Sequence, residues 1–362
     1  MKASYPSENT ARERWIVARR SQRHAVDPSQ PYAFLVEEER AETGEVVGVA
    51  TIFLTNRECP WKCLMCDLWK YTLTETVPAG AIPAQIDHAL ETIRKRRAGI
   101  LPTQRRTSSE TMQQGVTIDS AAGSVLDRLE ACPTLRQIKL YNSGSFFDPQ
   151  AIPVEDYPAI AERVRPFERV IVECHPALVN ERCLRFRDLI ADASQLEVAM
   201  GLETANPDTL EKLNKRMTLE LFSRAAEFPR KNGIALRVFI LVKPPFLDEA
   251  EGLYWTERSL DFAFQNGASV ASLIPTRPGN GALEALAGQG QFAPPKLSTL
   301  EAALAYGIKL KKGRVFADLW NLERFSDCPE CFPARAERLR QMNLKQEILP
   351  AVVCARCHSR CR

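Results

Sequence analysis

Six short apolar segments, each followed by a helical pattern, constrain this chain of 362 residues more than anything else in it. They cover residues 46–54, 137–141, 169–174, 196–201, 235–242 and 270–274. The helical patterns lie near 84–97, 155–165, 181–192, 207–214, 219–231 and 250–266, with a further one near 11–23. Strands that alternate with helices imply a parallel sheet covered by those helices. Each strand ends in polar, Gly or Pro residues, which puts binding chemistry at the carboxyl ends. The expected fold is α/β, a partial (β/α)6 TIM-like barrel, with a doubly wound sheet as the structural alternative. Three units are expected: an N-terminal extension over 1–45, the barrel over 46–312 and a small C-terminal Cys-rich unit over 313–362. Residues 98–117, rich in Thr, Ser and Gln, read as a surface loop.

The first strand runs into Arg57-Glu58-Cys59-Pro60-Trp61-Lys62-Cys63-Leu64-Met65-Cys66, a C-x3-C-x2-C spacing. Three thiolates can hold three irons of a [4Fe–4S] cube and leave the fourth iron open to a ligand that is not protein. Structural zinc prefers four protein ligands, and no fourth is local here: the nearest histidine, His88, is more than twenty residues on. A second cluster closes the chain. Cys328-Pro329-Glu330-Cys331 and Cys354-Ala355-Arg356-Cys357 are two C-x2-C knuckles separated by 22 residues, with His358 and Cys361 beside the second. Four thiolates at this spacing call for a metal, either Zn²⁺ in a ribbon-like unit or a second iron–sulfur cluster, for which Cys361 is the spare ligand. Eight of the eleven cysteines thus fall in two groups, a pattern of metal use and not of disulfides. Cys132 and Cys183 read as core residues.

The start, MKASYPSENTARERW, lacks the apolar core of a signal peptide, and the longest apolar stretch, 46–54, is too short to span a bilayer. A reduced cytoplasm, with no membrane partner, is expected. The net charge of +3 is unevenly spread: residues 1–24 carry six Lys/Arg against two Glu, 94–106 carry six with no acid, and 324–362 carry eight against four. Each run alone reads as solvated surface; together they leave a polyanion such as RNA as a possible partner.

The cysteine run, placed after a strand, resembles that of radical S-adenosylmethionine (SAM) enzymes of the Elongator/MiaB-like class. Further along come Ser143-Gly144-Ser145-Phe146-Phe147-Asp148-Pro149, Gly201-Leu202-Glu203-Thr204, Asn214-Lys215-Arg216-Met217-Thr218, Lys243-Pro244-Pro245-Phe246-Leu247-Asp248-Glu249 and Ala293-Pro294-Pro295-Lys296-Leu297-Ser298. Over about residues 50–312 these resemble the radical SAM subunit of archaeosine synthase. The resemblance implies a [4Fe–4S] cluster on Cys59, Cys63 and Cys66, and SAM on its open iron. It implies that Ser143, Gly144 and Ser145 meet the amino group of SAM, although the usual Gly-Gly-Glu is missing. Glu173 would contact SAM. Glu203 would bind the ribose hydroxyls or the substrate, and Lys215 or Arg216 would pair with the methionine carboxylate. Met65 belongs with these cofactor contacts, and Lys243 with Glu203 as a catalytic candidate. Cys174 and His175 read equally as filler thiol and capping imidazole or as catalytic groups.

The implied reaction is reductive cleavage of SAM to a 5′-deoxyadenosyl radical that abstracts hydrogen from a substrate. That substrate would be a lysine-modified 7-deazapurine base in tRNA or a related small molecule. A reductant such as flavodoxin or ferredoxin, and a partner subunit, go with that reading. The rival class is a non-catalytic nucleic-acid-binding protein that uses the basic C-terminal metal ribbon.

Overall fold

A computed structural model describes residues 4–99 and 134–357. Eight strands form one sheet in chain order: β1 (Ala33–Arg40), β2 (Val46–Leu54), β3 (Leu135–Asn142), β4 (Arg169–Cys174), β5 (Gln195–Glu203), β6 (Ala235–Val242), β7 (Val270–Pro275) and β8 (Arg314–Ala317). β1 pairs antiparallel with β2, and β2 to β8 are all parallel. The described helices are α1 (Asn9–Val17), α2 (Ala81–Arg97), α3 (Tyr157–Val164), α4 (Glu181–Ile190), α5 (Pro207–Lys212), α6 (Leu219–Lys231), α7 (Glu249–Gln265), α8 (Ala282–Ala287), α9 (Leu297–Leu310) and α10 (Phe332–Lys345). The sheet curls into a half-barrel, the partial TIM-like architecture, with the four C-terminal knuckle cysteines gathered beside it.

All six expected strands are present, and the sheet adds one at each edge. β1 escapes sequence reading because Glu37, Glu38, Glu39 and Arg40 do not look like a strand; β8 is only four residues long. The N-terminal helix ends at Val17, earlier than its pattern suggests. Beyond it the chain extends so that Arg20 and Arg23 both reach Glu58. The expected loop at 98–117 lies outside the described residues from position 100 onward, as do Cys132, His358 and Cys361.

The two faces of the sheet differ in kind. Alternate residues point to opposite faces. Those on the convex face, such as Ile52, Leu140, Val172, Val198, Ile240 and Leu273, are fully buried under the helices in one apolar core. The concave face carries Glu37, Glu39, Lys139, Arg169, Glu197 and Arg237 near the amino ends of the strands. A closed barrel fills this space with branched apolar side chains; here it is filled with charge. Arg237 donates to Glu197 at 2.6 Å and to Glu39 at 2.5 Å, Lys139 reaches Glu39 at 2.6 Å and Glu37 at 2.8 Å, and Arg169 reaches Glu42 at 2.7 Å. Burial raises the cost of an ionised Glu39, but the charges of Arg237 and Lys139 outweigh it and hold its carboxyl well below the usual carboxylate range. Farther along the same face come the rings of Phe53, Tyr141 and Phe239, with Phe53–Tyr141 centroids 6.1 Å apart and Tyr141–Phe239 centroids 5.7 Å apart.

Removing one member of such a network strands the others in a dry place. Arg237→Met should cost about 3–5 kcal/mol of unfolding free energy, because Glu39 and Glu197 lose their guanidinium while staying buried. Because the Glu39 carboxyl is depressed, its contribution is complete above the ordinary carboxylate range and is lost only as strong acid protonates it. Urea unfolding of wild type and variant checks both points: a penalty below about 1 kcal/mol at neutral pH, or one that changes between pH 6 and 8, would contradict this account.

Candidate functional site

The cysteine run leaves β2 at the open, carboxyl end of the half-barrel. Its start is pinned by Glu58, which takes ion pairs from Arg20 at 2.7 Å, from Arg23 and from Lys62. Partial burial opposes ionisation of Glu58, but the Lys62 and Arg20 bonds prevail and keep its carboxyl below the usual range. The backbone of the run is held from the α5–α6 connection and from the loop after β7. Asn214 Nδ2 donates to Lys62 O at 2.8 Å, Leu64 N to Leu213 O at 2.9 Å, and Asn280 Nδ2 to Leu64 O at 2.7 Å. Leu64 is fully buried among Leu213, Leu241, Leu283 and Leu286, with Met65 half-buried against the same group. Polar clamps and an apolar plug thus fix where the sulfurs stand.

Cys59, Cys63 and Cys66 are half-buried, and burial pushes each thiol up to about 12. Three thiolates are therefore unfavourable there unless a cation joins them, as an iron cluster does. Gly144, at the end of β3, meets this loop closely. Its φ is +108°, and a Cβ there would stand 3.0 Å from Cys59 Sγ and 2.9 Å from Cys59 Cβ. Glycine is required both for its conformation and for the approach. Ser143 is clamped on both backbone groups by Asn56, each bond 3.1 Å long. Ser145 Oγ accepts from Phe147 N at 3.2 Å and donates to Cys174 Sγ at 3.4 Å.

Charge converges beside the sulfurs. β5 carries an irregularity between Gly201 and Glu203, and Glu203 takes a left-handed φ of +66°. That turn brings its carboxylate to the buried Lys215 ammonium, and the pair occupies the space a Cβ on Gly201 would need. Glu173, at the end of β4, faces the same place. Its carboxyl is pushed up to about 8 by burial, with Lys215 opposing and Glu203 adding to the rise. Lys215 is buried too, yet Glu203, Cys63 and Glu173 raise its pKa above the ordinary lysine value. His175 has a different task. Its ring stacks on Trp61 with centroids 3.7 Å apart, Nδ1 accepts from Ala177 N at 3.2 Å, and Nε2 bonds Lys215 O at 3.1 Å, which assigns the proton to Nε2. Burial, then Lys215, pushes it down to about 3, so it is a neutral capping imidazole.

The structure thus brings together Cys59, Cys63, Cys66, Gly144, Glu173, Glu203 and Lys215, with Ser143, Ser145 and Met65 around them. Two other expected residues fall elsewhere. Arg216 is exposed and reaches Glu13 of α1 at 3.3 Å, because its left-handed φ of +59° turns it away from Lys215. Lys243 is buried, but its Nζ donates to Ala293 O at 2.6 Å and lies 3.5 Å from Glu249. It fastens the 293–294 segment. Asn56, Asn214, Asn280 and Trp61 were not assigned roles from sequence; asparagine in the connections after β2, α5 and β7 was the available signal.

The tail cysteines Cys328, Cys331, Cys354 and Cys357 are buried with their sulfurs all within 4.8 Å of one another, a group that could bind a metal ion. Cys361 lies outside the described residues. Several basic residues of the first and last runs pair within the fold. Arg335 pairs with Glu301 at 2.6 Å, Arg340 with Glu38 at 3.1 Å, and Arg12 with Glu211 at 3.0 Å. These guanidinium groups are committed to carboxylates and do not form an open cationic face. No helix among the described residues is long and apolar enough to cross a membrane.

No family model matches the chain. It is 31% identical over 164 residues to archaeosine synthase subunit beta of Methanosarcina acetivorans, covering 44% of this chain and 47% of that one. To archaeosine synthase subunit beta of Thermococcus kodakarensis it is 29% identical over 199 residues, covering 53% and 61%. The chain therefore spans about half to three fifths of the length of these relatives. Among solved structures, methylornithine synthase overlays with a TM-score of 0.45 at 14% identity, over 86% of this chain and 72% of that one. Fold and site define an open (β/α) barrel with a three-cysteine loop at the carboxyl ends of its strands. Over the matched residues the chain is related in sequence to archaeosine synthase subunit beta.

The raised Glu173 carboxyl has a measurable sign. Its folded pKa of about 8 lies above the unfolded value, so it costs stability as pH rises from the ordinary carboxylate range toward 8. Glu173→Gln removes that cost. In metal-free protein the variant should match wild type at pH 4 and gain about 1–2 kcal/mol at pH 8, discounted for the part of the group that solvent reaches. An equal difference at both pH values, measured by urea unfolding, would mean that Glu173 is not held protonated.

Proposed function

We propose that this chain is a radical SAM enzyme in which Cys59, Cys63 and Cys66 hold a [4Fe–4S] cluster. The observation that carries the reading is the contact of Gly144 with Cys59 beside the Glu173, Glu203 and Lys215 cluster. Three sulfurs, a small-residue strand end and paired charges of both signs suit one ligand that has an amino and a carboxylate group. The cluster, when bound with SAM, supplies one-electron reduction of the sulfonium and hence the 5′-deoxyadenosyl radical. The chain supplies everything else. Lys215 offers an ammonium to the methionine carboxylate, the acids Glu173 and Glu203 face the amino group or ribose hydroxyls, and the Gly144 backbone leaves room for close approach. Phe53, Tyr141 and Phe239 line the lumen below and keep water from the reacting centre.

For the substrate, the sequence relation favours a lysine-modified 7-deazapurine base in tRNA, with a related small molecule as the smaller version of the same chemistry. A flavodoxin or ferredoxin as reductant and a partner subunit accompany this reading. For the tail, a single Zn²⁺ on Cys328, Cys331, Cys354 and Cys357 is favoured over a second cluster. Around one tetrahedral zinc, sulfurs at about 2.3 Å from the metal stand about 3.8 Å apart; Cys331 and Cys357 Sγ are 3.7 Å apart, and all four fit within 4.8 Å. Thiolates on four different irons of a cube lie farther apart than that.

Anaerobic reconstitution with iron and sulfide, followed by dithionite and SAM, tests the enzyme reading through 5′-deoxyadenosine measured by chromatography. Cys59→Ala, Cys63→Ala and Cys66→Ala should each abolish it. Lys215→Met should weaken SAM binding at least about tenfold with iron content near wild type, whereas Arg216→Ala should leave both unchanged. Full production of 5′-deoxyadenosine by any one cysteine variant, or a larger SAM-binding loss in Arg216→Ala than in Lys215→Met, would refute these assignments.

A further inference from the structure

β1 and β8 are the two edges of the sheet, so the curled half-barrel has a seam between them. α10 lies in that seam and packs on both edge strands. Its hold on β8 is unusual for a helix. Asn343 Nδ2 donates to Ala317 O and its Oδ1 accepts from Ala317 N, both at 2.9 Å. One helical turn along, Gln346 Oε1 accepts from Val315 N at 2.7 Å and its Nε2 donates to Val315 O at 2.9 Å. Val315 and Ala317 are alternate residues, whose backbone groups point to the same side of a strand. Two carboxamides therefore complete the ladder that a ninth strand would otherwise supply. On the other side of the seam, Arg40 donates to Leu344 O at 3.1 Å and Arg340 reaches Glu38 at 3.1 Å. Arg314 Nη1 spans the gap itself, donating to Arg40 O at 2.8 Å.

The ends of α10 need fastening. No side chain caps its first turn, which follows directly on Cys331. After Gln346, at φ +54°, the chain runs back beside the helix, where Arg338 Nη2 holds Leu349 O at 2.8 Å and Arg338 Nε holds Pro350 O at 2.8 Å. This return segment buries little: Ile348 is 50% and Val353 80% exposed. Yet it delivers Cys354 and Cys357 to Cys328 and Cys331 at the helix start. A segment with so little apolar burial depends on a cross-link to stay in place.

We propose that a metal ion in the four-thiolate site is the clasp of the seam: it ties both ends of the α10 hairpin together and keeps Asn343 and Gln346 in register on the β8 edge. This rests on the single-ion reading of the tail given above and makes the site a device for barrel closure. It acts through α10 and not by touching substrate.

Amide hydrogen exchange on the full-length protein, purified under reducing conditions, tests it, with zinc, iron and sulfide measured on the same sample. Stripping the tail metal with a chelator, or Cys354→Ser, should raise exchange at Val315, Ala317 and along α10 at least about tenfold and leave β4 and β5 protected. Adding Zn²⁺ back to the chelated protein should restore it. The Asn343→Leu/Gln346→Leu variant should show the same local loss at Val315 and Ala317 with its zinc content unchanged, which separates the clasp from the ladder it holds. Unchanged exchange at Val315 and Ala317 after verified zinc loss overturns the clasp. A protein without tail zinc, whatever its iron and sulfide content, overturns the single-ion reading, and the zinc measurement decides it because the Cys59 loop is itself assigned iron and sulfide.

Discussion

The pairing of Arg237 with Glu39 and Glu197 carries the architecture. Glu39 belongs to the edge strand β1 and Arg237 to β6, five places along the sheet, so their bond at 2.5 Å closes a chord across the concave face. A flat or less curled sheet could not bring those two strands within reach. The network costs the desolvation of several ions, and its geometry is what offsets that cost. It also keeps the floor of the lumen filled, so that the space above it, toward the strand ends, is where a ligand can go.

Above that floor, the site is built by loops that hold one another. The run from Cys59 to Cys66 is tied to the β5–α6 connection through Asn214 and Leu213 and to the loop after β7 through Asn280. The backbone strain sits in the same place: Glu203, Arg216 and Lys243 have positive φ, as does Asn214. For residues with side chains this conformation is unfavourable and is maintained by the surrounding bonds. Three of them direct a charged group, Glu203 toward Lys215, Arg216 toward Glu13 and Lys243 toward the 293–294 backbone, and Asn214 directs its amide to Lys62 O.

Much of this was legible in the sequence. Strands whose outward face is a run of Val, Ile and Leu, such as 169–174 and 235–242, declare themselves, because the convex face needs apolar cover along its full length. β1 did not, because its Glu-rich pattern makes sense only once Arg237 and Lys139 are seen opposite. The three-cysteine loop and the two knuckles were readable from spacing alone, since metal chemistry fixes that spacing locally. Lys243 and Arg216 were misplaced for one reason: a strand end tells which loop a residue occupies, but the sign of its φ decides which way the side chain leaves. The pairing of Arg20, Arg12 and Arg335 was hidden for a similar reason, because their carboxylates, Glu58, Glu211 and Glu301, are distant in sequence.

Among the described residues the helix that shuts the seam comes after every strand of the sheet, and this sets an order on synthesis. While the chain is emerging, the outer side of β1 stands open from the time β2 is complete at Leu54 until α10 begins at Phe332. During that interval both edges are open to other chains, and the acids Glu37 and Glu39, the latter buried, face the lumen in place of apolar residues. Charge directed inward on an edge strand is one of the ways proteins discourage unwanted pairing. The residues that later form the floor of the lumen can therefore also keep the nascent half-barrel from joining a neighbour on the same polysome.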